Sequence, residues 1–454
     1  MIAKQQTWWL VAMLLALLLA AGAACSDNKN NGGSDEDTPV PSATEDVSAG
    51  TVEPSEIVTR DDVLHKDPGV TKTAEVDWGW LFELTGPPQI QVFGQVTGDG
   101  VKLAVDEINK DCTSEGICGF QVGDTIYKIN LIDSDTQSDV ARTVSLTTKL
   151  IRDDHVKVIW GPATLGEAEA TQLTQPNKVL HLCPCQDREH TSLDTFEKAA
   201  GESHWEFQTL PAISRYFLQG AQGTREDFPE LTKVAILCIN TEIGQSVCGF
   251  YEDAYREAGF EIVGREEFPP GTTDYTPFLT RLRSKQPDIL LNFDDAAAQI
   301  NLLLQAIDLD VGEALQTSLT PDLLNTLLGP DKVRQKIFLA GGIPRQAAQP
   351  TSQAAADYFE RYQAFSGGEL PPASFVSMLT YDFVYMVIAS MQQANTVDDT
   401  TAIADRLEVL HYAGAAEDDI HFDNRHISVM GSDSCPVIKG VSNCVHDPPP
   451  PPAP

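Results

Sequence analysis

Three groups of residues in this 454-residue chain are candidates for chemistry: close cysteine pairs, and tryptophans and acids placed where apolar runs end. Eight of the nine cysteines fall into four close pairs: Cys112 and Cys118, Cys183 and Cys185, Cys238 and Cys248, Cys435 and Cys444. Such pairs suit short disulfide loops or, for Cys183-Pro184-Cys185, metal ligation. The only nearby histidines are His181 and His190, which do not complete a zinc spacing. Asp294-Asp295 follows the apolar run Ile289–Phe293. That pair either meets a ligand ammonium or, for Asp295, caps a helix starting at Ala296. Trp78 and Trp80 share one face of a strand by alternation, and Trp160 precedes Gly161-Pro162. Each tryptophan either packs under a helix or stacks on an apolar or cationic solute. The motifs of catalysis are missing: there is no G-x-S-x-G elbow, no H-E-x-x-H and no Walker loop. The nine histidines form no metal-spaced cluster. An enzyme is disfavoured, and neither cofactor nor metal is expected.

The elements that must position these groups alternate between strand and helix. Val76–Leu84 is a strand ending in the turn Thr85-Gly86-Pro87-Pro88, and Gly98–Lys110 carries a helical stripe of Val101, Ala104, Val105 and Ile108. Tyr127–Ile132 is a strand, Ser138–Arg152 a helix, Val156–Trp160 a strand, Glu167–Thr174 a helix start and Val179–Leu182 a strand. The alternation restarts with a helix at Tyr216–Gly223, a strand at Lys233–Ile239, a helix at Gly244–Ala258 and a strand at Glu261–Glu267. A helix at Tyr275–Ser284, a strand at Ile289–Phe293 and a helix at Ala296–Ile307 follow. Repeated β-α units predict mainly parallel sheets covered by helices, here in two α/β lobes. Ligands of such sheets bind beyond the carboxyl ends of the strands. Those ends carry Thr85, Gly161–Thr164, Cys183–Asp187, Asn240–Glu242 and Asp294-Asp295.

The first 24 residues read as an export signal. Lys4 precedes an apolar run from Trp8 to Ala24 that ends in small residues directly before Cys25. The junction resembles the lipobox of bacterial lipoproteins, although Gly22 stands where a leucine is usual. The resemblance implies cleavage before Cys25 and lipidation of that cysteine; the alternative is a secretory signal whose Cys25 pairs with another thiol. Several acyl chains would anchor the mature protein stably to a membrane outside the cytoplasm. No later run is long enough to span one. Residues 25–71 are rich in Asn, Gly, Ser, Asp, Thr and Pro and are expected to be a disordered spacer. The Pro-rich tail, 446–454, is expected to be disordered as well.

Lys plus Arg number 31 and Asp plus Glu 66, a net charge of −35. So acidic a chain is a poor binder of nucleic acid or anionic lipid. With Cys25 set aside for lipid, eight cysteines remain in an exported protein. The simplest connectivity joins the neighbours: Cys112–Cys118, Cys183–Cys185, Cys238–Cys248 and Cys435–Cys444.

Val76-Asp77-Trp78-Gly79-Trp80-Leu81-Phe82-Glu83-Leu84-Thr85-Gly86-Pro87 resembles the first strand and turn of the extracytoplasmic binding proteins for branched-chain amino acids. Gly100–Asn109 resembles their following helix, Asp133-Ser134-Asp135 and Trp160-Gly161-Pro162 their next strand ends, and Ser374–Ala394 with Tyr381-Asp382 their long late helix. The resemblance runs from about Ala74 to Gly440. It implies a type I periplasmic-binding fold: two α/β lobes, each a mainly parallel sheet flanked by helices, joined by a three-strand hinge. Lobe 1 would be 72–208 plus 341–413, and lobe 2 would be 209–340 plus 414–445. The implied task is to capture a small amino-acid-like or other polar solute by hinge closure and pass it to an ABC permease. The protein would act as a lipid-anchored monomer at the cell membrane, in the periplasm or at the cell surface. A sensor lobe serving a separate signalling partner is the alternative role, and an exported enzyme the remoter one.

By the same resemblance Ala163 and Thr164 would bind a ligand carboxylate, with Cys185 and Asp187 adding contacts from the next loop. Asp187 departs from the small or hydroxyl residues usual there and would repel a carboxylate. Ile243 and Asp295 stand where an aromatic residue often closes on the ligand. The expected ligand set is therefore Trp80, Thr85, Trp160, Ala163, Thr164, Cys185, Asp187, Ile243, Asp294 and Asp295, and the solute expected is polar or amine-bearing.

Overall fold

The computed structural model describes residues 57–447 except positions 87, 164–165, 185–204, 212, 295, 318–320, 340–349, 351, 368–374, 424–425, 435 and 443–444. Cys25, the leader and the spacer up to residue 56 lie outside the described residues, as do positions 448–454 of the tail.

The strands in chain order are β1 (Val58–Thr59), β2 (Lys72–Phe82), β3 (Phe120–Val122), β4 (Thr125–Asp135), β5 (Val158–Trp160), β6 (Leu180–Cys183) and β7 (Glu206–Gln208). They continue with β8 (Lys233–Ile239), β9 (Glu261–Phe268), β10 (Ile289–Phe293), β11 (Ala314–Gln316) and β12 (Ile337–Leu339). Short strands close the chain: β13 (Tyr412–Ala413), β14 (His421–Phe422), β15 (Ser428–Val429), β16 (Ser432–Ser434), β17 (Val437–Ile438), β18 (Val441–Ser442) and β19 (Val445–Asp447).

Two separate sheets result, as the alternation predicts. The first runs β3-β4-β2-β5-β6-β7 and the second β18-β17-β12-β11-β10-β8-β9. All pairings from β4 to β7 are parallel, as are those from β9 to β12; β3, β17 and β18 pair antiparallel. Within each parallel set the first strand lies inside, flanked by the second and third. The switch points therefore fall between β2 and β5 and between β8 and β10, where doubly wound sheets bind ligands.

The two faces of the first sheet are covered by different helices. Trp78, Trp80, Phe82, Val158, Trp160, Leu180 and Leu182 enter one large core with residues of the helices Pro88–Lys110 and Phe375–Ala394. Leu81, Ile159, Val156 and Val179 pack on the other face with Leu150 of the helix Val140–Arg152. The inner strands β5 and β6 are thus covered on both faces and carry no exposed residue. The second sheet has its own core, centred on Ile236, Leu237, Leu290, Leu291 and Leu315.

Three expectations need correction. The helix expected from Gly98 begins ten residues earlier, at Pro88. Gly94, Gly98 and Gly100 weaken the helical signal of that stretch, yet the packing needs all three: a Cβ on Gly100 would lie 1.9 Å from the Ser377 carbonyl oxygen of the helix Phe375–Ala394. A Cβ on Gly98 would lie 2.3 Å from the Trp80 ring, and one on Gly94 would lie 2.9 Å from a Glu83 carboxylate oxygen. Four residues apart, Gly94 and Gly98 form one helix face flat enough to sit on the end of β2. Next, the expected spacer does not reach residue 71. Val58 and Thr59 pair with Tyr412 and Ala413, and Val63 of the helix Arg60–Leu64 is fully buried. Finally, His446 and Asp447, assigned to the tail, belong to β19, which pairs with β16.

Arg60 is the main lock on the N-terminal segment. Its Nη2 lies 3.0 Å from Glu107 Oε2, and Arg361 Nε reaches Oε1 of the same carboxylate at 3.0 Å. The Tyr381 and Tyr385 hydroxyls donate to Glu107 at 2.6 and 3.0 Å. Burial, with the Glu107 carboxylate beside it, pushes the Tyr381 hydroxyl up to about 12. Among the described residues no helix is long and apolar enough to cross a membrane.

Candidate functional site

The site is assembled at the two switch points. In the first sheet β2 is followed by Glu83, which is fully buried, and β5 by Gly161-Pro162-Ala163, with a cis peptide at Gly161-Pro162. The Ala163 amide donates to Glu83 Oε2 at 3.2 Å. This amide is the group that the family resemblance assigns to a ligand carboxylate, and here a carboxylate of the chain itself takes that place. Glu83 was not among the expected ligand residues. Its signal was an acid directly after the apolar run Trp78–Phe82.

Thr85, expected at the same strand end, is exposed and engaged with β4. Its hydroxyl donates to Asp135 Oδ2 at 2.7 Å and its amide to Asp135 Oδ1 at 3.2 Å. The amides of Leu84 and Gln137 add bonds to Oδ1, each at 3.0 Å. Burial raises the Asp135 pKa, but these donors outweigh it and hold the carboxyl below the usual range. Thr85 and Asp135 thus fasten two strand-end loops together.

Trp80 does not reach this loop surface. It is fully buried, its indole donates to Gly98 O at 3.1 Å, and Lys102 Nζ lies 3.8 Å above its ring. Trp160 is also fully buried, 6.1 Å from Trp78 between ring centroids. Register explains both placements: Trp80 pairs with Trp160 across β2 and β5, so both face the helices Pro88–Lys110 and Phe375–Ala394. The core-packing alternative is the one realised, and both tryptophans leave the expected ligand set. Ala163 is buried at its strand end, while Thr164, Cys185, Asp187 and Asp295 lie outside the described residues.

In the second sheet the corresponding ends are those of β8 and β10. Thr241 caps the helix Glu242–Glu257 by accepting from the Gly244 amide at 3.0 Å. Ile243 lies in the first turn of that helix. Asp294 follows β10, is 4 % exposed, and accepts from the Tyr275 hydroxyl at 2.5 Å. Behind it Gln299 Nε2 donates to Asn292 Oδ1 at 3.0 Å, and Asn292 Nδ2 to Gln316 O at 2.7 Å. Sequence inspection missed Tyr275, Asn292 and Gln299, because no local pattern links residues that meet only through the fold.

The connections between the sheets are joined to each other. Gln208 and Ile427 form a parallel bridge, with the Gln208 amide donating to His426 O at 2.8 Å. Ser428 Oγ donates to Thr209 O at 3.1 Å, and the rings of Phe207 and His426 stack at 4.3 Å. The segment leading to the second of these connections is held by Asp382, whose carboxylate accepts from the amides of Ala415 and Ala416 at 3.0 and 2.7 Å.

Cys112 is disulfide-bonded to Cys118 and Cys238 to Cys248, as the spacing predicts. Cys183 is also disulfide-bonded. Cys185, Cys435 and Cys444 lie outside the described residues.

Two doubly wound sheets, each with an acid at its switch point and joined through paired connections, make a two-lobed binding protein of the α/β type. The chain belongs to the periplasmic binding protein family, whose model matches residues 75–431. The family is one of binding proteins rather than enzymes, as expected from the lack of catalytic motifs. Among curated relatives, the Leu/Ile/Val-binding protein BraC3 of Rhizobium johnstonii is 25 % identical over 342 residues, covering 74 % of this chain and 84 % of its own. A Leu/Ile/Val-binding protein homolog of Brucella melitensis is 23 % identical over 338 residues, covering 74 % and 83 %. Among solved structures, the substrate-binding protein LivJ of Streptococcus pneumoniae, in complex with isoleucine, matches with a TM-score of 0.59 at 19 % identity, covering 83 % of this chain and all of that one (100 %). A solute-binding protein of R. palustris in complex with benzoate matches with a TM-score of 0.59 at 14 % identity, covering 83 % and 98 %. One fold therefore accommodates both an amino acid and an aromatic acid, and ligand class must be argued from this chain's own residues.

Proposed function

We propose that the protein is the extracytoplasmic solute-binding component of an ABC importer, tethered to the membrane by lipid on Cys25. It captures a small polar, amine-bearing solute between two lobes and presents it to the permease. The lobes we assign are residues 72–208 with 341–413 and residues 209–340 with 414–445, with two adjustments: residues 57–71 join the first, and so does the stretch through Phe422, because Ala415, Ala416, Ile420 and Phe422 belong to the first core. The observation that carries the ligand class is the Glu83 carboxylate on the Ala163 amide, at the first switch point. A carboxylate held there lowers the affinity for a solute carboxylate and favours a solute ammonium or hydroxyl. Asp294 at the second switch point adds to the same bias. Closure follows the ligand's preference for the closed state and nothing else.

The test is a thermal-shift screen of the purified protein, stripped of bound solute by unfolding and refolding. The compounds span amino acids, polyamines, amides, aromatic acids and sugars. A ligand at 100 times its dissociation constant stabilises by about 2.7 kcal/mol. A saturable shift from amines or amino acids supports the proposal. A shift confined to simple carboxylic acids overturns the ligand class. No shift from any compound, in a protein shown to be folded, overturns the solute-binding role. The tether is tested separately by mass spectrometry of the membrane-extracted protein, where an unmodified Cys25 would exclude lipidation.

A further inference from the structure

His411, Asp419 and His421 are ten residues apart end to end, with no metal-binding spacing in the sequence, and the fold puts them on one side of an antiparallel β-bridge. Tyr412 and Ile420 exchange both backbone hydrogen bonds, at 2.9 and 2.7 Å. They form a hydrogen-bonded antiparallel pair, so the next rungs are His411 opposite His421 and Ala413 opposite Asp419. Alternation then places all four residues on the face opposite Tyr412 and Ile420. Tyr412, Ile420 and Phe422 point into the core, which leaves the His411 face toward solvent.

Side-chain geometry agrees with the register. The imidazoles of His411 and His421 stack with centroids 4.6 Å apart and planes 28° apart. Asp419 Oδ1 lies 2.7 Å from His411 Nδ1 and 3.4 Å from His421 Nδ1. One ligand atom from each of the three residues lies within 4.8 Å of the others. Their side chains are 27, 37 and 26 % exposed, so water can fill remaining coordination positions. The fourth residue on the face, Ala413, is too small to cover the site.

We propose that His411, Asp419 and His421 bind a divalent transition-metal ion, with zinc the first candidate. Two imidazoles and a carboxylate are ligands that zinc accepts at about 2.0–2.2 Å. Ligand atoms held tetrahedrally at that distance stand about 3.3–3.6 Å from one another, which is within the range of the separations here, 2.7 and 3.4 Å from Asp419 and at most 4.8 Å overall. Calcium and magnesium, which favour oxygen donors, are excluded by the two nitrogens. The ion would clip residue 411 to residue 421, bridging the turn that carries the chain from the first sheet toward its paired connection at Ile427.

The experiment is calorimetric titration of the chelator-treated full chain with zinc, beside the variants His411→Gln, His421→Gln and His65→Gln. Cobalt titration of the parent protein followed by visible absorption is the second readout. One equivalent of zinc binds saturably to the parent and to H65Q, and loss of either His411 or His421 weakens binding at least about tenfold. Cobalt gives the d–d bands of a site with nitrogen ligands. Absence of saturable zinc binding overturns the proposal, as does binding that survives in the H411Q/H421Q double variant. If the variants misfold, a cobalt spectrum of the hexaaqua ion in the presence of the parent protein overturns it independently.

Discussion

The Tyr275 hydroxyl donates to Asp294 at 2.5 Å, and both residues are almost wholly buried. The bond joins the start of one helix to the end of β10 and sets the direction in which Asp294 points. Tyr275→Phe is expected to lower stability by about 1–3 kcal/mol, the cost of removing a donor from a buried acid. Urea unfolding checks this, and an unchanged midpoint would mean that the bond contributes nothing.

Glu83 provides a test of ligand choice that does not depend on overall stability. Glu83→Gln removes the negative charge while keeping the side chain's shape and an oxygen for the Ala163 amide. Affinity for carboxylate-only solutes is expected to rise and affinity for amine-bearing solutes to fall, as read by competition in the thermal-shift assay. Equal changes in both classes would show that Glu83 acts only on the fold.

Asp382 accepts two backbone amides with its two oxygens. Asparagine has one acceptor and would turn its amide group toward a donor. Asp382→Asn should therefore cost about 1.5–3 kcal/mol, the range for hydrogen bonds to charged groups. Amide hydrogen exchange provides the local check: protection at Ala415 and Ala416 should fall before that of β8 or β10.

Asp99 predicts a pH dependence. Burial raises its carboxyl to about 7 against the pull of Lys102 and of the hydrogen bond with Tyr362, and its Oδ2 has no hydrogen-bond partner among the described residues. The unfolded chain releases this proton near 3.8, so between that pH and about 7 the folded state holds the extra proton. Stability then falls as pH rises through this window, by up to about 1.4 kcal/mol per pH unit, and levels off above it. Asp99→Asn should flatten that slope. Melting temperatures of the two proteins from pH 4 to 8 would refute the assignment if they ran parallel.

Most of the fold was legible because its strands are short, apolar and separated by helices with clear stripes. Lys233–Ile239, Ile289–Phe293 and Glu167–Thr174 have the predicted bounds. The start of the Pro88–Lys110 helix was hidden because its glycines are selected for close packing on Trp80 and Glu83, and packing overrode propensity. The site was less legible. Strand ends could be found from pattern, but which side chains turn toward them could not. Trp80 and Trp160 looked suited to stacking and are covered by helices. Glu83, which meets the Ala163 amide, lay unremarked inside the motif that revealed the family. Tyr275 and the His411–His421 pair depend on contacts that no spacing encodes.

Among the described residues, the contacts that fasten 57–64 lie on the first sheet's side of the molecule: β1 on β13, Arg60 on Glu107 and Gln392 Nε2 on Val63 O at 3.0 Å. A pull through the segment before Ile57 would therefore load the first sheet and not the paired connections at Gln208 and Ile427. If Cys25 carries the proposed lipid, a pull on that anchor would leave the grip on solute that of the free protein.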